Sequence, residues 1–404
     1  MVPIKFKLSP LKALFLVQFV FSIIFAFANL FMNIYLWTHG KSFWNIGVFN
    51  LFSVHSIFLC SLVGALALHR WGTRSTFIFS SLLALCLFSY LFISDLSEMS
   101  VIPILGLLYG GYIGLFYIGF NLQILWLSRD ENRSTLVGLE STLGTLAQLL
   151  TPVAAGYFIT TQGYKEAFLF IIGLLVLQFF LSLRIPMIRT TAGFRKRYFF
   201  LAENETMADL GFTSAAYGFF YAFIQMSYGL FLFFLVRDEL QLGVWNFIFG
   251  GVSALMYWMV GRMLKQSNRE IMLGMGMLSC TIITLTLLVP VPELFILFNL
   301  VISVSLPMLW VPAKSMHYTQ MVILAKKLTD SNESRLGKMI QFLVFREFSI
   351  SLGRILFFLL IVIGFDFGMS TSYYVMILLA CLMPFSIWLL AKGSKTWLSF
   401  YGRS

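Results

Sequence analysis

MIQFLVFREFSISLGRILFFLLIVIGF, Met339 to Phe365, is long and apolar enough to cross a bilayer, yet it carries Arg346, Glu347 and Arg354. A charge at membrane depth costs kilocalories and usually faces a protein interior or a watery cavity, so these three residues mark a candidate functional site. The rest of the chain decides that the stretch is a membrane helix. Hydrophobic residues fill 59% of 404 positions and charged residues 11%, with a mean hydropathy of +0.88, whereas a soluble protein is roughly one quarter charged. Such a chain is solvated by lipid.

A window of about 19 residues moved along the sequence finds apolar segments of about the length a bilayer requires. They lie near 12–37, 45–68, 75–94, 101–126, 135–160, 167–185, 210–236, 243–261, 271–290, 293–316, 339–364 and 371–391. The runs are continuous rather than alternating, and a span must satisfy its own backbone. The predicted fold is therefore an all-α membrane protein with twelve transmembrane helices.

Lysine and arginine collect in cytoplasmic segments. With the N-terminus inside, 22 of the 28 basic residues fall in inner segments; only Lys41, Lys165 and Arg237 lie outside, and Lys314, Arg346 and Arg354 lie within spans. The net charge of +11 is then a signal of topology and not of nucleic-acid binding. Both termini are predicted to be cytoplasmic, in a cell membrane of bacterial type. The first span is expected to remain in the mature protein, because its apolar run is too long for a signal peptide and continues into polar Asn29 and Asn33. Asn132, Asn204 and Asn332 head glycosylation-type triplets but fall on the predicted inner side. Cys60, Cys86, Cys280 and Cys381 sit in four separate spans and read as buried structural thiols. No metal site, cofactor, nucleotide loop or nucleophile motif is read, so neither an enzyme nor an ATP-driven pump is expected.

The inner segment from Pro186 to Asp209 is polar, carries Arg189, Arg195, Lys196 and Arg197, and divides the spans six and six. It reads as a linker between an N-terminal bundle, 1–185, and a C-terminal bundle, 210–404. Leu115 to Gln123 (LFYIGFNLQ) in the fourth span lies opposite Leu306 to Lys314 (LPMLWVPAK) in the tenth. In each half a charged inner loop follows, and then a span containing a glutamate, Glu140 or Glu347. Repeated bundles of this kind place a transport site at their interface near mid-membrane.

With those features, the whole length of the chain resembles the major facilitator superfamily of secondary transporters. The family signature between the second and third spans, G-x-L-A-D-R-x-G-R-R, has a counterpart in Ala65 to Arg74 (ALALHRWGTR). Arg70, Gly72 and Arg74 match, but His69 stands in place of the aspartate. The tight turn needs Gly72, and the neighbouring cations are expected to dock on helix C-termini of the facing bundle as a latch. A second family run, G-x-x-x-G-P-x-x-G-G, is associated with exporters and resembles Thr151 to Gly156 (TPVAAG) in the fifth span. Pro152 and Gly156 there either form a seam about which the bundles rock or serve ordinary close packing.

Polar residues at helical spacing outline a candidate cavity. Gln18, Ser22, Asn29 and Asn33 fall within roughly 60° on the first span, and Tyr217, Tyr221, Gln225 and Tyr228 within about 80° on the seventh. Asn121, Gln123 and Lys314 join them as cavity candidates. Hydrogen bonding between helices is the competing role for the polar residues, and anchoring at the interface for Lys314. Glu347 and Arg354 share a face but stand about 10 Å apart along the axis. Arg346 projects away from them, with snorkelling to lipid headgroups as an alternative. Glu140 is a candidate proton carrier or a gate partner of Arg133 or Arg74. His55 reads as a hydrogen-bonded core residue in preference to a proton shuttle.

These residues predict a secondary transporter of a small molecule working by alternating access and coupled to protons through Glu140, Glu347, Arg354 and Arg346. Export is preferred, and uptake of a small organic anion by symport is the alternative. A lipid flippase and a non-transporting receptor or scaffold remain as further readings. The expected partners are substrate, protons and the bilayer, and the expected state is a monomer.

Overall fold

A computed structural model describes residues 10–93, 99–127, 133–187, 205–264, 268–327, 332–365 and 370–393. These residues are helical apart from short connections. In chain order the helices are α1 (Pro10–Gly40), α2 (Phe43–Leu68), α3 (Trp71–Ile93), α4 (Ile102–Leu127), α5 (Arg133–Gln162) and α6 (Tyr164–Ser182). After residues 188–204, which lie outside the described set, come α7 (Glu205–Val236), α8 (Glu239–Met263), α9 (Arg269–Thr286), α10 (Pro292–Lys327), α11 (Asn332–Val362) and α12 (Thr371–Gly393). Ten are apolar and long enough to cross a membrane; the other two, α9 and α11, are the ones that carry Arg269 with Glu270 and the three central charges.

α2 and α3 are nearly continuous, and the bend between them falls at Gly72, whose φ of 71° and ψ of 175° form a conformation open to glycine and closed to ordinary side chains. The predicted turn glycine is thus required there. α7 is not one regular span. A π-helical turn at Ser227–Phe231 interrupts it, and such a turn leaves backbone carbonyls without their usual donors. Asn246 Nδ2 of α8 donates to the Tyr228 carbonyl at 2.9 Å and supplies one replacement.

Packing repeats from one half to the other. In the first half α1 meets α5 and α6, α4 meets α2 and α3, and α3 meets α6; adding six to each number gives the main contacts of the second half. The six-plus-six organisation is therefore a property of the packing. Three seams join the halves: α5 against α8, α2 against α11, and α1 against α7.

The closest approaches use glycine. Gly106, Gly110 and Gly114 form a stripe on α4, and a Cβ at each would collide with the carbonyl of Phe49, Ser53 or Ile57 on α2. Small residues bring backbones together where lipid supplies no hydrophobic drive for helix association. Gly110→Ala is expected to cost about 1–3 kcal/mol through overpacking and to lower the melting temperature in detergent. Gly173→Ala on α6, with nothing within 4 Å of the added carbon, should raise it slightly by the helix preference for alanine. Equal shifts in the two variants would contradict the stripe.

Candidate functional site

Five charged side chains from three helices converge between the halves. Arg346, Glu347 and Arg354 come from α11, Glu140 from α5 and Lys314 from α10. Arg346 is buried, and its Nη1 lies 3.3 Å from Glu347 Oε1. Lys314 and Arg346 are both within electrostatic reach of Glu140. Arg354 sits with its guanidinium carbon 5.5 Å from the centre of the Tyr221 ring. Among the described residues, no carboxylate comes within ion-pair distance of Arg354.

Tyrosines surround the charges. Tyr109 and Tyr117 of α4 and Tyr217 and Tyr221 of α7 all interact electrostatically with Arg354, and Tyr117 also faces Glu140 and Glu347. Tyr217 stacks on Trp310 of α10 with ring centres 3.4 Å apart. Tyr257 of α8 lies within electrostatic reach of Tyr221 and Tyr228. The Tyr109 hydroxyl is buried and has no hydrogen-bond partner. Tyr109, Tyr117 and Tyr257 were not among the sequence candidates. Aromatic residues are so frequent in this chain that spacing alone did not separate these from the rest.

The polar faces of α1 and α7 do meet. Asn29 Nδ2 donates to Gln225 Oε1 across the seam. Asn50 of α2 donates to Asn33 Oδ1 at 2.7 Å, and Asn33 Nδ2 points to the Met226 sulfur at 4.0 Å. Asn50 bonds to the polar face of α1 and was not among the sequence candidates.

Several expected cavity residues have other duties. Gln123 is fully buried, and its Nε2 donates to Thr73 Oγ1 at 2.6 Å and to the Pro186 carbonyl at 2.7 Å, so it fastens α4 to the end of the α6 segment. Gln18 donates to Ser22 within α1 and is buried. Tyr228 bonds Ser303 at 2.9 Å inside the second half. Asn121 is half-buried on α4. The reason is common to Gln123, Gln18 and Tyr228: the polar stripe of a helix is wider than the strip that faces the centre.

Other expectations are corrected. Arg74 Nε donates to the Ile185 carbonyl at 2.7 Å, so it caps the end of α6 in its own half and not a helix of the facing bundle. Arg74 is thereby removed as a partner of Glu140. Arg346 does not snorkel, since it is buried beside Glu347. His55 is exposed on α2, bonding only the Leu51 carbonyl of its own helix at 2.8 Å, and is no core residue. Cys280 and Cys381 are buried as expected, but Cys86 is exposed and Cys60 half-buried. The side chains of His69, Arg70, Arg133 and Asn332 lie outside the described residues, as do Asn132 and Asn204.

Pro152 and Gly156 lie in the α5–α8 seam. A Cβ at Gly156 would meet the Glu239 carbonyl, and one at Gly243 would meet the Pro152 carbonyl. Toward the end of the bundle farther from the start of α1, the halves are joined by aromatic contacts. Trp37 of α1 packs on Phe234 of α7 at 4.8 Å, Phe43 of α2 packs on Phe365 just beyond α11 at 5.0 Å, and Tyr164 OH donates to Glu239 Oε1 at 3.3 Å.

No protein-family model matches the chain. It is 23% identical over 358 residues to a Bacillus subtilis (strain 168) protein described as "Uncharacterized protein YqgE", covering 85% of this chain and 80% of that one. A Geobacillus stearothermophilus protein described as "Uncharacterized protein in sodM 3'region" is 29% identical over 147 residues, 35% of this chain and 68% of that protein. Among solved structures, the nucleoside transporter NupG superposes with a TM-score of 0.69 at 12% identity, over 96% of this chain and 100% of NupG. The human organic anion transporter MFSD10 (TETRAN) superposes with a TM-score of 0.66 at 13% identity, over 93% of this chain and 98% of MFSD10. Together with the apolar helices, these likenesses make the chain a multi-pass membrane protein with the twelve-helix fold of the major facilitator superfamily.

Proposed function

We propose that the protein is a proton-coupled secondary transporter of a small molecule, in which segments 1–185 and 210–404 rock about the α5–α8 and α2–α11 seams. The observation that carries this reading is the convergence of Glu140 and Glu347 with three cations where the two halves meet. A rigid scaffold has no use for so costly a cluster at membrane depth, whereas a carrier needs groups whose charge changes as access alternates. The likeness to a nucleoside transporter and an organic anion transporter supports transport of a small organic compound. Export rested on the Thr151–Gly156 stretch. That stretch is engaged in helix packing, which serves rocking in either direction. The excess of cations over carboxylates in the centre favours the symport alternative, in which an anion enters with protons.

The test is reconstitution of the full chain in liposomes loaded with a pH-sensitive dye. An imposed substrate gradient is expected to move protons across the membrane, with the panel of compounds drawn from small organic anions, cations and neutral nucleosides. Proton movement indistinguishable from empty liposomes for every class would overturn proton coupling.

A further inference from the structure

We infer that Arg354 and Tyr109 form the anchoring subsite for one organic carboxylate, a monoanion with a planar aromatic body; this names the substrate class of the transporter proposed above and rests on that reading. Arg354 stands eight residues before the end of α11, about 12 Å along the axis, which leaves it far from either membrane surface. Its guanidinium lies over the Tyr221 ring, and no carboxylate of the described residues pairs with it. A cation–π contact offsets only part of the cost of holding a guanidinium there. Among the described residues, the negative charge that would offset the remainder is not supplied.

A count of the central charges gives the same result. Lys314, Arg346 and Arg354 face Glu140 and Glu347; Glu347 is engaged by Arg346, and Glu140 lies under the influence of Lys314 and Arg346. Among these described charges the cations outnumber the carboxylates, and Arg354 is the one with no carboxylate of the described residues at ion-pair distance. A monoanion suits it better than a dianion, the form that phosphate takes above neutral pH.

The donors fit a carboxylate. A guanidinium presents parallel N–H groups that match two carboxylate oxygens, and a hydroxyl donor adds a third hydrogen bond. Tyr109 provides that hydroxyl: it is 5% exposed, lacks any partner, and lies within electrostatic reach of Arg354 and Tyr221. A buried O–H left without an acceptor is costly and uncommon, and an arriving carboxylate would satisfy it. The surrounding walls are Tyr117, Tyr217, Tyr221 and Trp310. They offer flat apolar faces to the rest of the ligand, which is the reason for an aromatic body.

The test measures binding, without transport, to the full chain in nanodiscs by calorimetry and by ligand-induced change in melting temperature. The probes are benzoate and indole-3-acetate, with benzamide, benzylamine and inorganic phosphate as controls. At least one of the two carboxylates is expected to bind and stabilise the protein, and the controls are not. Arg354→Gln is expected to weaken that binding by about tenfold or more, as for loss of a charged hydrogen-bond partner, and Tyr109→Phe by several-fold. Should Arg354→Gln not fold, Tyr109→Phe, which removes a single hydroxyl, decides alone. No binding of either carboxylate to the wild type, equal binding of the matched amide, preferential binding of phosphate, or unchanged affinity in the folded variants would overturn the subsite. Arg354-dependent binding without any transport in liposomes would leave the subsite standing and remove the transporter reading. Proton-linked transport of another compound without carboxylate binding would do the reverse.

Discussion

Glu347→Gln is expected to abolish accumulation driven by a pH gradient while leaving downhill exchange of substrate measurable. A gradient of one pH unit supplies about 1.4 kcal/mol per proton carried, enough for about tenfold accumulation by a carrier that moves one proton with each substrate. Glutamine has nearly the shape of the glutamate and keeps its hydrogen-bonding capacity, but it carries no titratable proton, so coupling is removed and the packing is kept. Arg346 then loses the carboxylate oxygen that lies 3.3 Å from it, which makes the cluster more positive by one charge and should strengthen the hold on an anionic substrate. The same measurement on Glu140→Gln separates the two carboxylates: the proton carrier loses accumulation, and the other changes chiefly affinity. Full accumulation in both variants would refute proton carriage by this cluster.

Closing the α2–α11 seam covalently should arrest transport. A Cβ added at Gly47 lies 3.2 Å from the Val362 backbone nitrogen and 2.6 Å from a Val362 methyl that cysteine lacks, so Gly47→Cys with Val362→Cys brings two thiols into the range where a disulfide forms. Both positions belong to the end of the bundle sealed by the Phe43–Phe365 contact. If the seam must open for the site to face that side, oxidation stops turnover and a reductant restores it. Cys86 is exposed and is replaced by serine in the test protein to prevent competing links. Equal transport rates in the oxidised and reduced protein would show that this seam stays shut throughout the cycle, and alternating access at that end would have to be abandoned.

The residues that disappointed the sequence reading share a physical origin. Hydropathy places a helix along the membrane normal well, because lipid penalises every misplaced polar group. It leaves open how far each helix is rotated about its axis and which neighbour it touches. Arg74 was expected to reach across to the facing bundle and instead caps α6 of its own half, a choice fixed by where α6 ends beside α3. Gln123 lies in the polar segment that paired the fourth and tenth spans, yet it faces α3 and Pro186. Asn29 and Gln225 hydrogen-bond between α1 and α7, the role that competed with cavity lining for those stripes.

The sequence by itself determined that the chain is built of helices long and apolar enough to cross a membrane and where those helices fall, and it marked the charges on α11 as a candidate site. These properties follow from the local cost of exposing polar groups to hydrocarbon, which each stretch meets on its own. Tertiary structure alone decided that Glu347 lies against Arg346, that Arg354 has an aromatic ring and, among the described residues, no carboxylate beside it, and that the Tyr109 hydroxyl is buried without a partner. Those facts depend on glycine-lined approaches such as Gly110 against Ser53 and Gly353 against Ala215, which set the rotation and height of each helix against partners far away in the chain.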